Sequence, residues 1–127
     1  MDCEQELGTG PILVIDDDPG LREIICEALQ DDGLLVAAAA DGMQALELAA
    51  QRRPGLVVLD WGLPIVDGDV VASQLRQAHG DHLPILVITA DGRAAEKARR
   101  AQAFAYLHKP FDVNTLVSTV RRALDAS

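Results

Sequence analysis

Three stretches of the chain are apolar at every position: Ile12-Leu13-Val14-Ile15, Leu56-Val57-Val58-Leu59 and Ile85-Leu86-Val87-Ile88. Each is short, rich in β-branched residues and ended by a polar group. Unbroken apolarity of this length predicts strands buried on both faces, where alternation would predict a half-exposed strand. Leu34-Leu35-Val36-Ala37 and Phe104-Ala105-Tyr106-Leu107 are weaker versions, which brings the predicted strands to five. Between the strands the apolar period changes. Leu21, Ile24, Ile25, Ala28 and Leu29 make one helical stripe; Met43, Leu46 and Ala49 mark a second helix, and Val70, Val71 and Leu75 a third. Ala94, Ala98 and Ala101 mark a fourth helix, and Val113, Leu116, Val117, Val120 and Leu124 a fifth. Asp18-Pro19 and Asp112 are suited to start the first and last helices, and Arg121 and Arg122 suit the negative end of the last. Alternation of buried strands with helices requires right-handed crossovers and a parallel sheet covered on both faces. The predicted fold is therefore α/β, a doubly wound (βα)5 three-layer sandwich.

Composition limits what such a sandwich can do. The chain has 127 residues, enough for one domain, and 49% of them are hydrophobic, enough to fill its core. We assign residues 1–10 to an acidic flexible tail and residues 11–127 to the domain. Eleven Lys and Arg against 20 Asp and Glu leave a net charge of −9, which repels phosphate backbones and anionic lipid. No direct nucleic-acid or membrane partner is expected. No apolar run approaches the length of a membrane span, and the acidic start lacks the features of a signal peptide, so the cytoplasm is the expected location. Two cysteines do not make a disulfide framework: Cys26 reads as a small buried hydrophobe, Cys3 as an exposed thiol.

In open α/β sheets the ligand site lies beyond the carboxyl ends of the strands. Strand one ends in Asp16-Asp17-Asp18, strand three in Asp60, strand four in Thr89, and Lys109 follows strand five by two positions. Carboxylates converging on one rim repel one another unless a cation neutralises them, and an all-oxygen donor set favours Mg²⁺. A carboxylate, a magnesium ion, a lysine and a hydroxyl are the parts of phosphoryl transfer, with an aspartate able to act as nucleophile.

Four blocks in order make the chain resemble the receiver domain of two-component response regulators, over residues 11 to about 124. They are Ile12-Leu13-Val14-Ile15-Asp16-Asp17-Asp18-Pro19; Leu56-Val57-Val58-Leu59-Asp60-Trp61-Gly62-Leu63-Pro64 with Gly68 beyond it; Pro84-Ile85-Leu86-Val87-Ile88-Thr89-Ala90; and Tyr106-Leu107-His108-Lys109-Pro110-Phe111. The resemblance implies a chemotaxis-regulator-like, flavodoxin-like sheet of order 2-1-3-4-5. It implies that Asp60 takes a phosphoryl group from a histidine kinase, a histidine phosphotransfer protein or a small phosphodonor. Asp16, Asp17, Asp60 and the Gly62 carbonyl would hold Mg²⁺, Asp16 through water. Lys109 and Thr89 would bind the phosphoryl group, Tyr106 would switch with Thr89, and the Lys109-Pro110 bond would be cis. The face formed by helix four, strand five and helix five would dock the output protein.

Other residues read more plainly. His79, His82 and His108 share no ligand spacing and are expected to be solvated. Trp61 is expected to pack over the site, and Arg93, Lys97, Arg99 and Arg100 to form a solvated helix face. Several positions depart from the family pattern. Phe104 and Ala105 replace acidic residues, so Phe104 either extends an apolar patch or packs under helix four. Gln102 stands where glycine is common, and helix four is expected to be short or shifted. Gly62 and Asp91 occupy places that tune loss of the phosphoryl group, and Gly62 has no side chain to orient water. The competing functions are a haloacid-dehalogenase-like phosphohydrolase using Asp16-Asp17-Asp18, and a receiver that docks without being phosphorylated. The end of the chain just after helix five fits a stand-alone regulator acting by protein contact, or a receiver fragment of a longer regulator.

Overall fold

The computed structural model describes residues 10–63, 67–90 and 92–125; Cys3, Pro64, Asp91 and most of the acidic tail lie outside them. The continuous apolar runs form β1 (Ile12–Ile15), β3 (Leu56–Asp60) and β4 (Ile85–Thr89), and every residue in all three is buried. β2 (Val36–Ala39) and β5 (Ala105–His108) are the edges of a parallel sheet in the order β2-β1-β3-β4-β5. The helices alternate with the strands: α1 (Pro19–Asp31), α2 (Gly42–Gln51), α3 (Gly68–His79), α4 (Ala94–Ala101) and α5 (Val113–Asp125).

Successive strand residues point to opposite faces, and the core divides accordingly. On β3, Val57 and Leu59 join Ala45 and Ala49 of α2 and Val71 and Leu75 of α3. Leu56 and Val58 join Ile25 and Leu29 of α1 and Leu116 and Val120 of α5. The sheet is thus the middle of three layers. Cys26 is half-buried against the α1–α5 side, where burial pushes its thiol up.

Three of the helices begin where a side chain supplies a cap. The Asp18 side chain accepts from the Gly20 and Leu21 N–H groups, with Pro19 at the first helical position. Asp41 caps α2 through the Gln44 N–H, and Asp112 accepts from the Asn114 N–H before α5. α4 lacks a side-chain cap and ends on Gln102 in the left-handed region, φ 56°. Arg76 compensates at that end. Its guanidinium donates to the carbonyls of Ala101, Gln102, Asp81 and Leu83, tying α3 to the end of α4 and the loop before β4.

The structure corrects several expectations. β2 starts at Val36, because the Leu34 N–H closes the end of α1 on the Leu29 carbonyl after Gly33 turns at φ 86°. Ile24, Met43 and Val70 face solvent, and Gly42 and Gly68 take the buried places on α2 and α3. The Trp61 ring lies against Gly68, where an added Cβ would fall 2.8 Å from it. Trp61 thereby packs on the α2–α3 core. His82 and His108 are exposed, but His79 is half-buried between α3 and α2, and its Nε2 has no hydrogen-bond partner. Burial and nearby Arg53 push its imidazole down. Phe104 is exposed. Among the basic residues of α4, Arg100 pairs with Asp69 of α3.

Candidate phosphoacceptor site

The strand register builds the site. Ile15 pairs with Leu59, Asp60 with Ile88, and Thr89 with His108, so the polar residues that end these strands emerge on one rim. Asp16 is 0% exposed, Asp60 4% and Thr89 2%, while Asp17 faces solvent. Burying carboxylates together is costly unless each is bonded or neutralised. Here much of that compensation is visible. Asp16 Oδ1 accepts from the Asp18 N–H at 2.9 Å, and Asp60 Oδ1 from the Gly62 N–H at 3.1 Å. Lys109 Nζ stands 3.3 Å from Asp60 Oδ2 and 3.4 Å from Asp16 Oδ2. The Lys109 N–H bonds the Thr89 carbonyl at 2.7 Å, and the Lys109-Pro110 bond is cis.

Compensation is incomplete. Asp16 Oδ2 is within ion-pair range of the ammonium but accepts no hydrogen bond. Oxygens of Asp16, Asp17 and Asp60 lie within 4.8 Å of one another. Burial is the largest influence on Asp60 and pushes its carboxyl from 3.8 to about 6. The Gly62 N–H opposes that shift, Asp16 adds to it, and Lys109 opposes it. For Lys109, burial pulls the ammonium down, but Asp60 and Asp16 outweigh it and the net shift is upward. Three clustered carboxylates, with an unbonded buried oxygen and no nitrogen or sulfur donor among them, fit a small hard divalent cation.

The rim therefore gathers Asp16, Asp17, Asp60 and Lys109, with Gly62 holding Asp60 and Thr89 at the adjacent strand end. Tyr106 is apart from them, 48% exposed on β5. One residue of the turn escaped the sequence reading. Arg22 on α1 donates from Nη1 to the Asp16 carbonyl at 2.8 Å. Its only sequence signal is a cation among the early positions of a helix that follows three acids.

The family profile described as the response regulator receiver domain matches residues 12–121. The response regulator MprA of Mycobacterium sp. (strain KMS) is 44% identical over 115 residues, covering 89% of this chain and 50% of that protein. Its counterpart in Mycobacterium leprae (strain TN) is 43% identical over the same length. The chain spans about half the length of the curated relatives it matches. The chemotaxis protein CheY4 of Vibrio cholerae superposes with a TM-score of 0.82 at 30% identity, covering 91% of this chain and 98% of that one. The receiver domain of NtrX from Brucella abortus gives 0.83 at 32%, covering 91% and 99%. With its sheet order, its rim of acids and lysine and these likenesses in agreement, the chain belongs to the response regulator receiver domain family, the signal-receiving half of two-component systems.

Proposed function

We propose that Asp60 accepts a phosphoryl group from a phosphohistidine of a kinase or phosphotransfer protein, and that this charge switches a protein-binding surface. The observation that carries the reading is the meeting of the three carboxylates with Lys109 Nζ, 3.3 Å from Asp60 and 3.4 Å from Asp16. A carboxyl at about 6 is mostly ionised at neutral pH, so an Asp60 oxygen is available as nucleophile. As its bond to phosphorus forms, the bond from phosphorus to the donor imidazole nitrogen breaks, and that nitrogen keeps the electron pair. Lys109 offsets charge on the phosphoryl oxygens.

Asp16, Asp17 and Asp60, with the Gly62 carbonyl, would hold Mg²⁺. Bound there, Mg²⁺ supplies positive charge against the oxygens of the transferring group. The Thr89 hydroxyl, one strand over, bonds the phosphoryl group once it is in place. Tyr106 follows Thr89, and the face of α4, β5 and α5 passes the change to an output partner in the cytoplasm. Among the described residues no helix is long and apolar enough to cross a membrane. The receiver modifies itself and turns over no separate substrate. The phosphohydrolase alternative is not favoured, since the family profile and the relatives described above are receivers and regulators.

The test is phosphorylation by a small phosphodonor with Mg²⁺, read by intact mass. The parent should gain one phosphoryl group and Asp60→Asn none. Equal labelling of Asp60→Asn would end this reading. Lys109→Ala should accept the group yet fail to alter Trp61 fluorescence as the parent does.

A further inference from the structure

The turn from β1 into α1 is closed at three points. The Asp18 N–H bonds Asp16 Oδ1 at 2.9 Å, the Arg22 N–H bonds the Asp18 carbonyl at 2.9 Å, and Arg22 Nη1 bonds the Asp16 carbonyl at 2.8 Å. The phosphoacceptor chemistry uses only the first two residues' side chains and leaves the third bond unexplained. The Asp16 carbonyl lies just beyond the end of the strand, in a residue wholly shielded from water. Its partner is therefore a side chain rather than solvent.

That carbonyl belongs to the same rigid peptide unit as the Asp17 nitrogen. Asp17 is exposed, and among the described residues no hydrogen bond or ion pair reaches its carboxylate. Even so, one of its oxygens lies in the group that spans 4.8 Å with Asp16 and Asp60. With nothing gripping the carboxylate itself, its direction is set by the backbone that carries it. Arg22 is what holds that backbone from the helix side.

We propose that Arg22 is a positioning residue for cation binding: its guanidinium fixes the Asp16–Asp17 peptide and so aims the otherwise unheld Asp17 carboxylate into the acid cluster. The inference rests on reading that cluster as a Mg²⁺ site. Two effects of Arg22 oppose each other there. Its positive charge repels a cation, while its hold on the peptide preorganises a ligand. Groups that orient metal ligands account for about 10–100-fold in affinity, whereas the repulsion is moderated by solvent around a half-buried side chain. Positioning is the stronger effect.

Thermal unfolding at graded Mg²⁺ separates these effects, since a cation bound only by the folded state raises the midpoint by an amount set by the ratio of its concentration to its Kd. The full chain is compared with Arg22→Gln, Arg22→Lys and Asp17→Asn. Arg22→Gln should need about tenfold more Mg²⁺ for the same rise. Arg22→Lys, which keeps the charge and a donor, should fall between it and the parent, and carries the test if Arg22→Gln does not fold. A lower midpoint without Mg²⁺ but parent-like Mg²⁺ dependence would overturn the proposal and leave Arg22 as a partner for one carbonyl. Tighter binding by Arg22→Gln would overturn it in favour of charge repulsion. A parent that does not respond to Mg²⁺, or an Asp17→Asn variant that responds like the parent, would instead remove the cation site on which the proposal stands.

Discussion

Asp60 carries a conflict in one side chain: the burial that would shield it in the nucleophilic role proposed above also makes its charge costly. The sign of the resulting pH dependence follows from its raised carboxyl, about 6 against an ordinary 3.8. The folded state binds this proton more tightly than the unfolded chain does. Its stabilising contribution is therefore complete below the ordinary value and is lost as pH rises through about 6. Without metal, this group should make the protein less stable between roughly pH 4 and pH 7, by on the order of 1–3 kcal/mol. Asp60→Asn should remove that slope and raise the midpoint of metal-free thermal unfolding at neutral pH by on the order of 5 °C. Thermal scans in EDTA across that range check it; an Asn variant less stable than the parent at neutral pH would refute it. Gly62 is the second residue with a measurable consequence. A Cβ there would stand 3.8 Å from Asp60 Oδ1, an ordinary contact, so a side chain fits beside the proposed acceptor. Gly62→Asn should shorten the life of the aspartyl phosphate several-fold by supplying a group that orients water, as measured by loss of the added mass after the donor is removed. An unchanged decay would exclude that role for the position.

Among the elements, α4 buries only alanines. Its buried residues are Ala94, Ala98 and Ala101, whereas α1 buries Ile25 and Leu29 and α5 buries Leu116 and Val120. Much of its placement comes from polar ties, the Arg76 guanidinium at one end and the Arg100–Asp69 pair. Its last turn closes on Gln102 at φ 56°, a conformation that costs a residue with a Cβ about 1 kcal/mol. Gln102→Gly should stabilise the protein by roughly 0.5–1 kcal/mol in urea unfolding, because the carbonyl that Arg76 grips is unchanged. Destabilisation would mean that the Gln102 side chain contributes more than its backbone strain costs. The same physics decides what the sequence disclosed. β1, β3 and β4 were legible because strands covered on both faces leave unbroken apolar runs. β2 was displaced by two residues because Leu34 serves the end of α1, a backbone task that its side chain does not advertise. Met43 drew the α2 stripe one position from the true face, where Gly42 is buried. Arg22 was invisible for a related reason, since a side chain that bonds a backbone carbonyl leaves no pattern of types to detect.

At the scale of the molecule, the two cores share one sheet and should melt together. Leu116 lies on the α1–α5 side and Trp61 on the other, so Leu116→Ala should lower stability by about 2–5 kcal/mol and shift the Trp61 transition together with the far-ultraviolet transition. Transitions that separate would show the two sides to be independent. The site itself depends on this single unit. Sheet order brings Asp16, Asp60 and Lys109 together from residues far apart along the chain, and the carboxylates are made well before the lysine. During synthesis, a growing polypeptide can pair β1, β2 and β3 before β5 has emerged. The acids would then gather with no ammonium to offset them, and their repulsion works against a closed rim until the last strand docks. Besides Lys109, a half-made chain lacks α5 and a docked β5, so half of the core beneath the rim is missing and the chain should not take up a signal. Ribosome-bound chains stalled short of Lys109 should resist a phosphodonor that labels the finished protein, which makes responsiveness a property acquired only when translation has delivered the whole sheet.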